Sequence, residues 1–422
     1  MKPICLLLTL IIFRCFFAGA QGVRVNNSND WSRVDKVILT KDSGLCILAQ
    51  SGVFGGTPMY SHLIKLDKNR DTVWVYKSSS YEAQGGLDAI ELDDSSLVIS
   101  TFKANYWNNK TDLKSQISLT KIAPNGHMLW ENVYNGTCGK LLFSNDKNIL
   151  FGGYGYGGKS GEDILLMKLD TAGNIIWKNN IEKHGHQRIS KIEEGAGGYY
   201  FYGEDTYDYT NKDSDVSLIK TDSKGNLLLN ETYGYSKGIT TSTYTVDKKP
   251  NEYYTLLEPV ITNGDTTYNS KFVTKDTIST HVFERAGDIM VMPEKSIKLV
   301  GSFSQTTLKN GFFIFDVSPT GALVKKQLVA TNDLDTAIVY AIGPFIIDHS
   351  TLLLAVGIAS LINWKFCRFD IHTKTMSKCA EAQFPLPFYI CGVSGFADRV
   401  IYYGYLSENA SQKMFVHEVL LK

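Results

Sequence analysis

The sequence predicts an all-β fold: a single β-propeller of eight four-stranded blades, with seven as the alternative count. Three observations predict it. A phrase made of an apolar strand, a tight polar turn and a second strand returns roughly every 50 residues. A second family of polar turns keeps the same rhythm. The chain also ends after a third strand, Met414 to Val419, and carries a β-rich segment near its start that belongs to no repeat. Ring closure needs such a segment, because an isolated edge strand is a liability.

The phrase reads Leu66-Asp67 with Trp74, then Ile122-Ala123-Pro124-Asn125-Gly126 with Trp130. It follows as Leu169-Asp170-Thr171-Ala172-Gly173 with Trp177. A fourth copy, Thr221-Asp222-Ser223-Lys224-Gly225, has Leu229 in the tryptophan position, and fainter copies sit at Asp276, Asp316 and Asp370. A tryptophan repeated in register is expected to bury its ring between adjacent blades. Gly126, Gly173 and Gly225 hold a turn position that favours positive φ. Recurrence marks these residues as architecture.

The second family joins the two inner strands of each blade. It begins at Asp42-Ser43-Gly44, Asp93-Asp94-Ser95, Asn145-Asp146-Lys147 and Gly195-Ala196-Gly197. It continues at Lys249-Pro250-Asn251, Pro293-Glu294-Lys295, Asp348-His349-Ser350 and Ala397-Asp398-Arg399. Each precedes a run rich in Val, Ile, Tyr or Phe, as at Leu45 to Ala49 and Leu97 to Thr101. These turns give eight blades. Seven follows if one of the weaker repeats after Asn230 drops out. The segment around Val23-Arg24-Val25 is expected to supply the missing outer strand of the last blade.

Residues 1–20 read as a signal peptide. Lys2 supplies the positive end, the run from Ile4 to Phe17 is apolar apart from Arg14, and Ala18-Gly19-Ala20 is a small-residue cleavage site. Residues 21–422 then form the propeller domain, secreted or held in the periplasm or at the cell surface, with cleavage after Ala20. Forty-three basic residues balance forty-three acidic ones, and there is no basic stripe for nucleic acid. Five cysteines follow the leader: Cys46, Cys138, Cys367, Cys379 and Cys391. Cys367 and Cys379 flank a turn almost symmetrically and could bond across a hairpin; the plainer reading is five buried thiols.

Leu-Asp-x-x-Gly-x-x-x-Trp resembles the tryptophan-docking phrase of PQQ-like eight-bladed propellers. The variant here looks most like secreted bacterial propeller repeat proteins, and it is clearest from Asp42 to Gly234. A second resemblance is to the outer-membrane-assembly scaffold, a lipoprotein of similar length. PQQ-dependent dehydrogenases carry an adjacent cysteine pair and a calcium site beside the quinone. No two cysteines here are adjacent, and no cofactor is expected.

Long connections between second and third strands are expected at Ser51 to Tyr60, Lys103 to Ser115, Tyr154 to Asp163, Gly203 to Asp215 and Glu258 to Ser270. Long uneven loops on one face of a rigid ring put binding there. They carry Tyr106, Trp107, Tyr154, Tyr156, Tyr207 and Tyr209, which form the candidate ligand site. Flat rings with polar tips suit sugars or extended peptides. Asp208, Asn211, Asp213 and Asp215 are oxygen-rich, but lack the Gly and Glu of a calcium loop. His184-Gly185-His186 lacks a third ligand, so no metal site is expected. No His-Glu-x-x-His motif appears. Asn26, Asn109, Asn135, Asn230 and Asn409 begin glycosylation sequons, relevant in a eukaryotic secretory pathway.

The reading is a secreted binding or scaffold propeller, monomeric, with a protein or glycan ligand. The alternative is a carbohydrate-active enzyme with carboxylates at the channel mouth, whose identities the sequence does not give.

Overall fold

The computed structural model describes residues 20–25, 31–52, 59–78, 83–104, 116–158, 161–182, 185–195, 197–208, 213–234, 253–262, 265–274, 282–305, 310–330, 338–346, 348, 350–358, 363–384, 388–395, 399–408 and 411–420. All its elements in this range are β-strands.

Strand β1 (Ala20–Val25) comes first. Blade 1 follows as β2 (Trp31–Leu39), β3 (Leu45–Gly52), β4 (Met59–Leu66) and β5 (Thr72–Lys77). Blade 2 is β6 (Ala83–Glu91), β7 (Leu97–Ala104), β8 (Gln116–Ile122) and β9 (Met128–Asn135). Blade 3 is β10 (Thr137–Phe143), β11 (Ile149–Gly158), β12 (Gly161–Leu169) and β13 (Ile175–Ile181). Blade 4 is β14 (Gly185–Gly195), β15 (Gly198–Asp208), β16 (Asp213–Thr221) and β17 (Leu227–Tyr233). A hairpin of β18 (Tyr253–Thr262) and β19 (Asp265–Thr274) intervenes. Blade 5 is β20 (Val282–Val291), β21 (Ile297–Gln305), β22 (Asn310–Val317) and β23 (Leu323–Ala330). Blade 6 is β24 (Ile338–Ile346), β25 (Thr351–Ile358), β26 (Asn363–Asp370) and β27 (Thr375–Gln383). Blade 7 is β28 (Phe388–Gly395), β29 (Arg399–Glu408) and β30 (Ser411–Leu420), completed by β1.

The ring thus has seven blades, the smaller of the two expected counts. The segment that an eighth blade would need is the two-stranded β18–β19 hairpin. Two relationships carry the ring straight past it. Ser214 of β16 pairs in parallel with Phe283 of β20, as Gly161 of β12 pairs with Gly185 of β14 one blade earlier. A single buried cluster also unites Tyr200, Val216 and Leu218 of blade 4 with Ile289, Leu299 and Phe313 of blade 5. The turn expected at Lys249-Pro250-Asn251 and the faint repeat at Asp276 lie outside the described residues.

Closure follows the expected strand. β1 runs antiparallel to β30, with Ala20 opposite Val419, Val23 opposite Val416 and Val25 opposite Met414. No helix of the described residues is long and apolar enough to cross a membrane.

Burial explains the strand patterns. Inner strands are covered on both faces and read as continuous apolar runs, so every residue of β3 is buried. Outer strands face solvent on one side and alternate, as β9 does. Each blade-to-blade interface owns one apolar cluster among the described residues. Val34, Val37 and Ile64 of blade 1 pack with Ile401, Tyr403 and Val416 of blade 7, so the closing interface has an apolar cluster like the others.

The first strand of every blade carries a break in register ahead of its second strand, and β24 carries a further one at Val339. The extra residues are Asp35, Leu87, Cys138, Ser190, Gly287, the pair Gly343-Pro344, and Cys391. A bulge adds twist to a strand, and strands around a narrow channel are strongly twisted. Cys367 stands opposite Lys378, and Cys379 falls in a register shift, so the two cysteines are not directly opposed.

Candidate functional site

The antiparallel order fixes two faces. Turns between strands 1–2 and 3–4 lie on one face, called here the turn face. Connections between strands 2–3 and from strand 4 to the next blade lie on the other, the loop face.

At the first interfaces the turn face holds the ring together. Trp74 Nε1 donates to Pro124 O of the next blade at 2.8 Å, and Trp130 to Thr171 O and Trp177 to Ser223 O, each at 3.2 Å. Each ring also rests on the turn glycine of that next blade. A Cβ at Gly126 would meet Trp74 at 3.0 Å, one at Gly173 would meet Trp130 at 3.3 Å, and one at Gly225 would meet Trp177 at 2.7 Å. These glycines have φ of 88°, 90° and 88°. Leu229 stands against Gly321 in the same way across the hairpin insertion. All three tryptophans are half-buried, more open than full burial between blades would leave them, because the dock sits on the outer rim.

A second repeat clamps each early blade internally. Lys65 Nζ binds Asp42 at 2.8 Å and Lys121 Nζ binds Asp94 at 3.1 Å; Lys168 pairs with Asp146 likewise. The third-strand lysine thus ties itself to the 1–2 turn. Burial pushes the Asp42 carboxyl up, but hydrogen bonds from Lys65, Thr40 and Gly44 outweigh it and hold its pKa at about 2. The recurring Asp-turn and strand-Lys spacing was the sequence signal for this clamp.

The closing blade inverts the pattern. In blades 1 to 4 the tryptophan slot pairs with the third-strand lysine: Trp74 with Lys65, Trp130 with Lys121, Trp177 with Lys168, Leu229 with Lys220. In blade 7 the same register pairs Gln21 with Glu418. The turn-glycine slot of blade 1 is Arg70, at φ 72°. Arg70 Nη2 donates to Glu418 at 3.1 Å, and Arg399 Nη1 donates to the same carboxylate. An ionic cluster therefore replaces the aromatic dock at the seam.

The channel forms the cavity. A space of about 440 Å³ is lined by Lys36, Asp88, Glu91, Lys140, Lys191 and Glu193 with neighbouring aliphatics. These residues lie towards the 1–2 turns, so the cavity occupies the turn-face half of the channel. Asp88 accepts Leu141 N–H at 2.9 Å and Ala89 N–H at 3.0 Å, and faces Lys36 at 3.2 Å. Asp288 repeats this with Ile346 N–H at 3.1 Å, Ile289 N–H at 3.0 Å and Lys191 at 3.3 Å. Burial raises the Asp88 pKa, but Lys36, Lys140 and the Leu141 N–H hold it below its ordinary value. Both aspartates tie one inner strand to the next. Glu193 differs: burial first, then Asp288 and Glu194, push its pKa up to about 6 against Lys191.

The expected ligand residues divide. Tyr154 lies on β11 opposite Ile164 and is 7 % exposed. The loop expected from Tyr154 to Asp163 is mostly paired strand, since β11 and β12 run together to Gly158 and Gly161. Tyrosines at alternate positions keep a strand's period of two through that glycine-rich stretch. Tyr156 lies on β11 and Tyr207 on β15, near the loop-face ends of adjacent blades. Tyr106, Trp107 and Tyr209 lie outside the described residues. Asp208 stands opposite Asp213 in register, and Asp215 opposite Asp205, so they occupy strand positions. Asn211 and His184 lie outside the described residues, and His186 is on β14.

The strand order and the ring of seven blades define a β-propeller fold. No protein-family model and no curated protein sequence matches the chain. Among solved structures it is similar to a protein of unknown function from Dyadobacter fermentans, at 11% identity and TM-score 0.47, covering 96% of this chain and 100% of that one. It is similar to hydrazine synthase of Kuenenia stuttgartiensis at 9% identity and TM-score 0.48, covering 90% and 94%. It is also similar to the GH93 α-L-arabinofuranosidase of Fusarium graminearum in complex with arabinobiose, at 9% identity and TM-score 0.41, covering 80% and 93%. Nothing about activity carries over at these identities.

Proposed function

We propose that this chain is a binding or scaffold propeller, exported after removal of residues 1–20, that recognises a protein or glycan through its loop face. The observation that carries the reading is the inequality of the two faces. On the turn face the tight turns are engaged in docking neighbouring blades. The 2–3 connections and the insertion bearing β18 and β19 between blades 4 and 5 leave the ring from strand ends on the loop face. Variable additions on one side of a rigid ring are where binding surfaces are built. Tyr156 and Tyr207 come from neighbouring blades on that side, and Trp107 belongs to the connection one blade before.

The hydrolytic alternative needs two available carboxylates roughly 5–10 Å apart. Asp88 and Asp288 use both oxygens on backbone N–H groups of the ring. Glu91 accepts Lys41 N–H. That leaves Glu193 as the carboxyl poised near neutrality within the described lining, on the face opposite the long connections.

The test is an immobilised array of defined oligosaccharides and extended peptides. It is probed with the wild type and with the Trp107→Ala/Tyr156→Ala double variant. Binding that falls at least tenfold in the variant at unchanged melting temperature supports the loop-face reading. Equal binding by both proteins, or none by either, overturns it.

A further inference from the structure

We propose that the turn-face half of the channel is a ligand site of its own, which takes a small aliphatic primary amine on the carboxylate of Glu193. The site lies away from the loop face and does not rest on the binding reading above.

The observation is one residue out of pattern. A row of cross-strand neighbours runs through each blade at the position of the third-strand lysine. Its innermost member is Ile38 in blade 1, beside Cys46 and Lys65, and Ile90 in blade 2, beside Val98 and Lys121. The same place is Leu142 in blade 3, Met290 in blade 5 and Ile346 in blade 6. Blade 7 has Ser394, whose hydroxyl donates to Val37 O of blade 1. Blade 4 puts a carboxyl there: Glu193, beside Tyr200 and Lys220. Glu193 is half-buried, and lines the cavity of about 440 Å³ with Ile38, Ile90 and Leu142.

The other charged groups of the lining are engaged in the ring. Lys36 faces Asp88 at 3.2 Å, Lys191 faces Asp288 at 3.3 Å, and Lys140 donates to Leu87 O at 3.4 Å. Asp88 accepts two backbone N–H groups, and Glu91 accepts Lys41 N–H. Among the described residues, Glu193 neither accepts a hydrogen bond nor forms an ion pair. It ties no strands together. Burial, with Asp288 and Glu194 adding, disfavours its ionised form, and Lys191 only partly offsets them. A carboxyl that weakens the ring at neutral pH, in a place where the ring elsewhere uses apolar side chains, is the mark of a site kept for a ligand.

The same neighbours choose the ligand's charge. The field that keeps a proton on Glu193 up to about pH 6 attracts any cation. An ammonium brings three donors to the carboxylate. An anion would instead meet Glu193, Asp288 and Glu194, with Lys36 and Lys191 already paired. Ile38, Ile90 and Leu142 offer an apolar wall to a short carbon chain, and the volume lies in the range of small-molecule pockets.

The experiment uses three probes of nearly one size and shape: n-butylammonium, 1-butanol and butyrate. Their affinities for the wild type and for Glu193→Gln are read by calorimetry at pH 7 and pH 5. The expected result is saturable binding of butylammonium to the wild type at pH 7, at least about tenfold tighter than either other probe, the worth of a charge-assisted hydrogen bond. Glu193→Gln should lose that advantage. In the wild type it should also shrink from pH 7 to pH 5, as a proton takes the amine's place, and in Glu193→Gln the affinity should not change with pH. Equal binding of the three probes, preference for butyrate, no saturable binding of butylammonium, or full affinity in Glu193→Gln overturns the proposal. A Tyr156→Ala variant that binds butylammonium as the wild type does separates this site from the loop face, and loss of binding there overturns their independence.

Discussion

Arg70 and Glu418 are separated by 348 residues, and Arg70 Nη2 meets the Glu418 carboxylate at 3.1 Å across the seam of the ring. Both side chains are 10% exposed. The pair takes the place of the indole-on-glycine dock found at the first three interfaces.

Breaking a buried pair from one side strands the remaining charge. Glu418→Gln should therefore cost about 3 kcal/mol in chemical denaturation, since it leaves Arg70 and Arg399 facing each other without their anion. Arg70→Ala and Arg70→Gly both remove the cation. They should differ, because φ is 72° there, and glycine should be the more stable by about 1 kcal/mol. A melting curve for Glu418→Gln that overlays the wild type would show that the seam is held by its apolar cluster alone.

The aromatic docks make a separate prediction. Trp130 is half-buried, so Trp130→Ala should cost about 2–3 kcal/mol, less than a fully enclosed tryptophan. Gly173→Ala should also destabilise, because φ is 90° and a Cβ would meet the Trp130 ring and Asn132 Nδ2. The two residues touch, so their effects should couple by about 1 kcal/mol in a double-mutant cycle. Strict additivity would deny the contact.

Much of this ring was legible in the sequence because blades 1 to 4 repeat the same phrase, and because β30 lacks a partner within its own repeat. What hid the blade count was a local signal. Asn263-Gly264 between β-rich runs is a two-residue hairpin signature, and Thr262 indeed pairs with Asp265. Reading that stretch as a loop between blade strands made an eighth blade of a hairpin. The bulges were not legible, since residues as unlike as Asp35, Leu87, Ser190 and Gly287 occupy them; the closed ring, not the side chain, demands the extra twist. The aromatic cluster was legible only as composition. Whether a tyrosine faces solvent or core is set by strand parity, which buries Tyr154.

The hairpin should be dispensable for the fold. Ser214 meets Phe283 and Leu229 meets Gly321 without it. Other blade-to-blade connections are short, such as residues 78–82 and 182–184. Replacing residues 236–280 with about four Gly/Ser residues should leave the melting temperature within a few degrees of the wild type. If the deleted protein fails to fold cooperatively, the hairpin is part of the ring and the count of seven is wrong.

Acid should weaken the fold through two histidines. Burial lowers His62 and His417 from 6.5 to about 4, with Lys77 adding at His62 and Glu418 opposing at His417. Both are neutral when folded, so the unfolded chain takes up their protons first. Stability is complete above pH 6.5 and is lost as pH falls towards 4, by at most about 3 kcal/mol for each. Glu193 has the opposite sign. Its pKa is raised from 4.5 to about 6, so the folded state binds the extra proton and stability falls as pH rises through that window. Glu193→Gln should gain about 1 kcal/mol above pH 6 and nothing below pH 4.5. His417 stacks on Phe366 and meets Phe384 edge-on, so His417→Phe should keep the packing and remove its share of the acid loss. Urea melts from pH 4 to pH 8 measure all three. If the His417→Phe profile keeps the wild-type slope between pH 4 and 6.5, His417 is not a group whose protonation opens the ring.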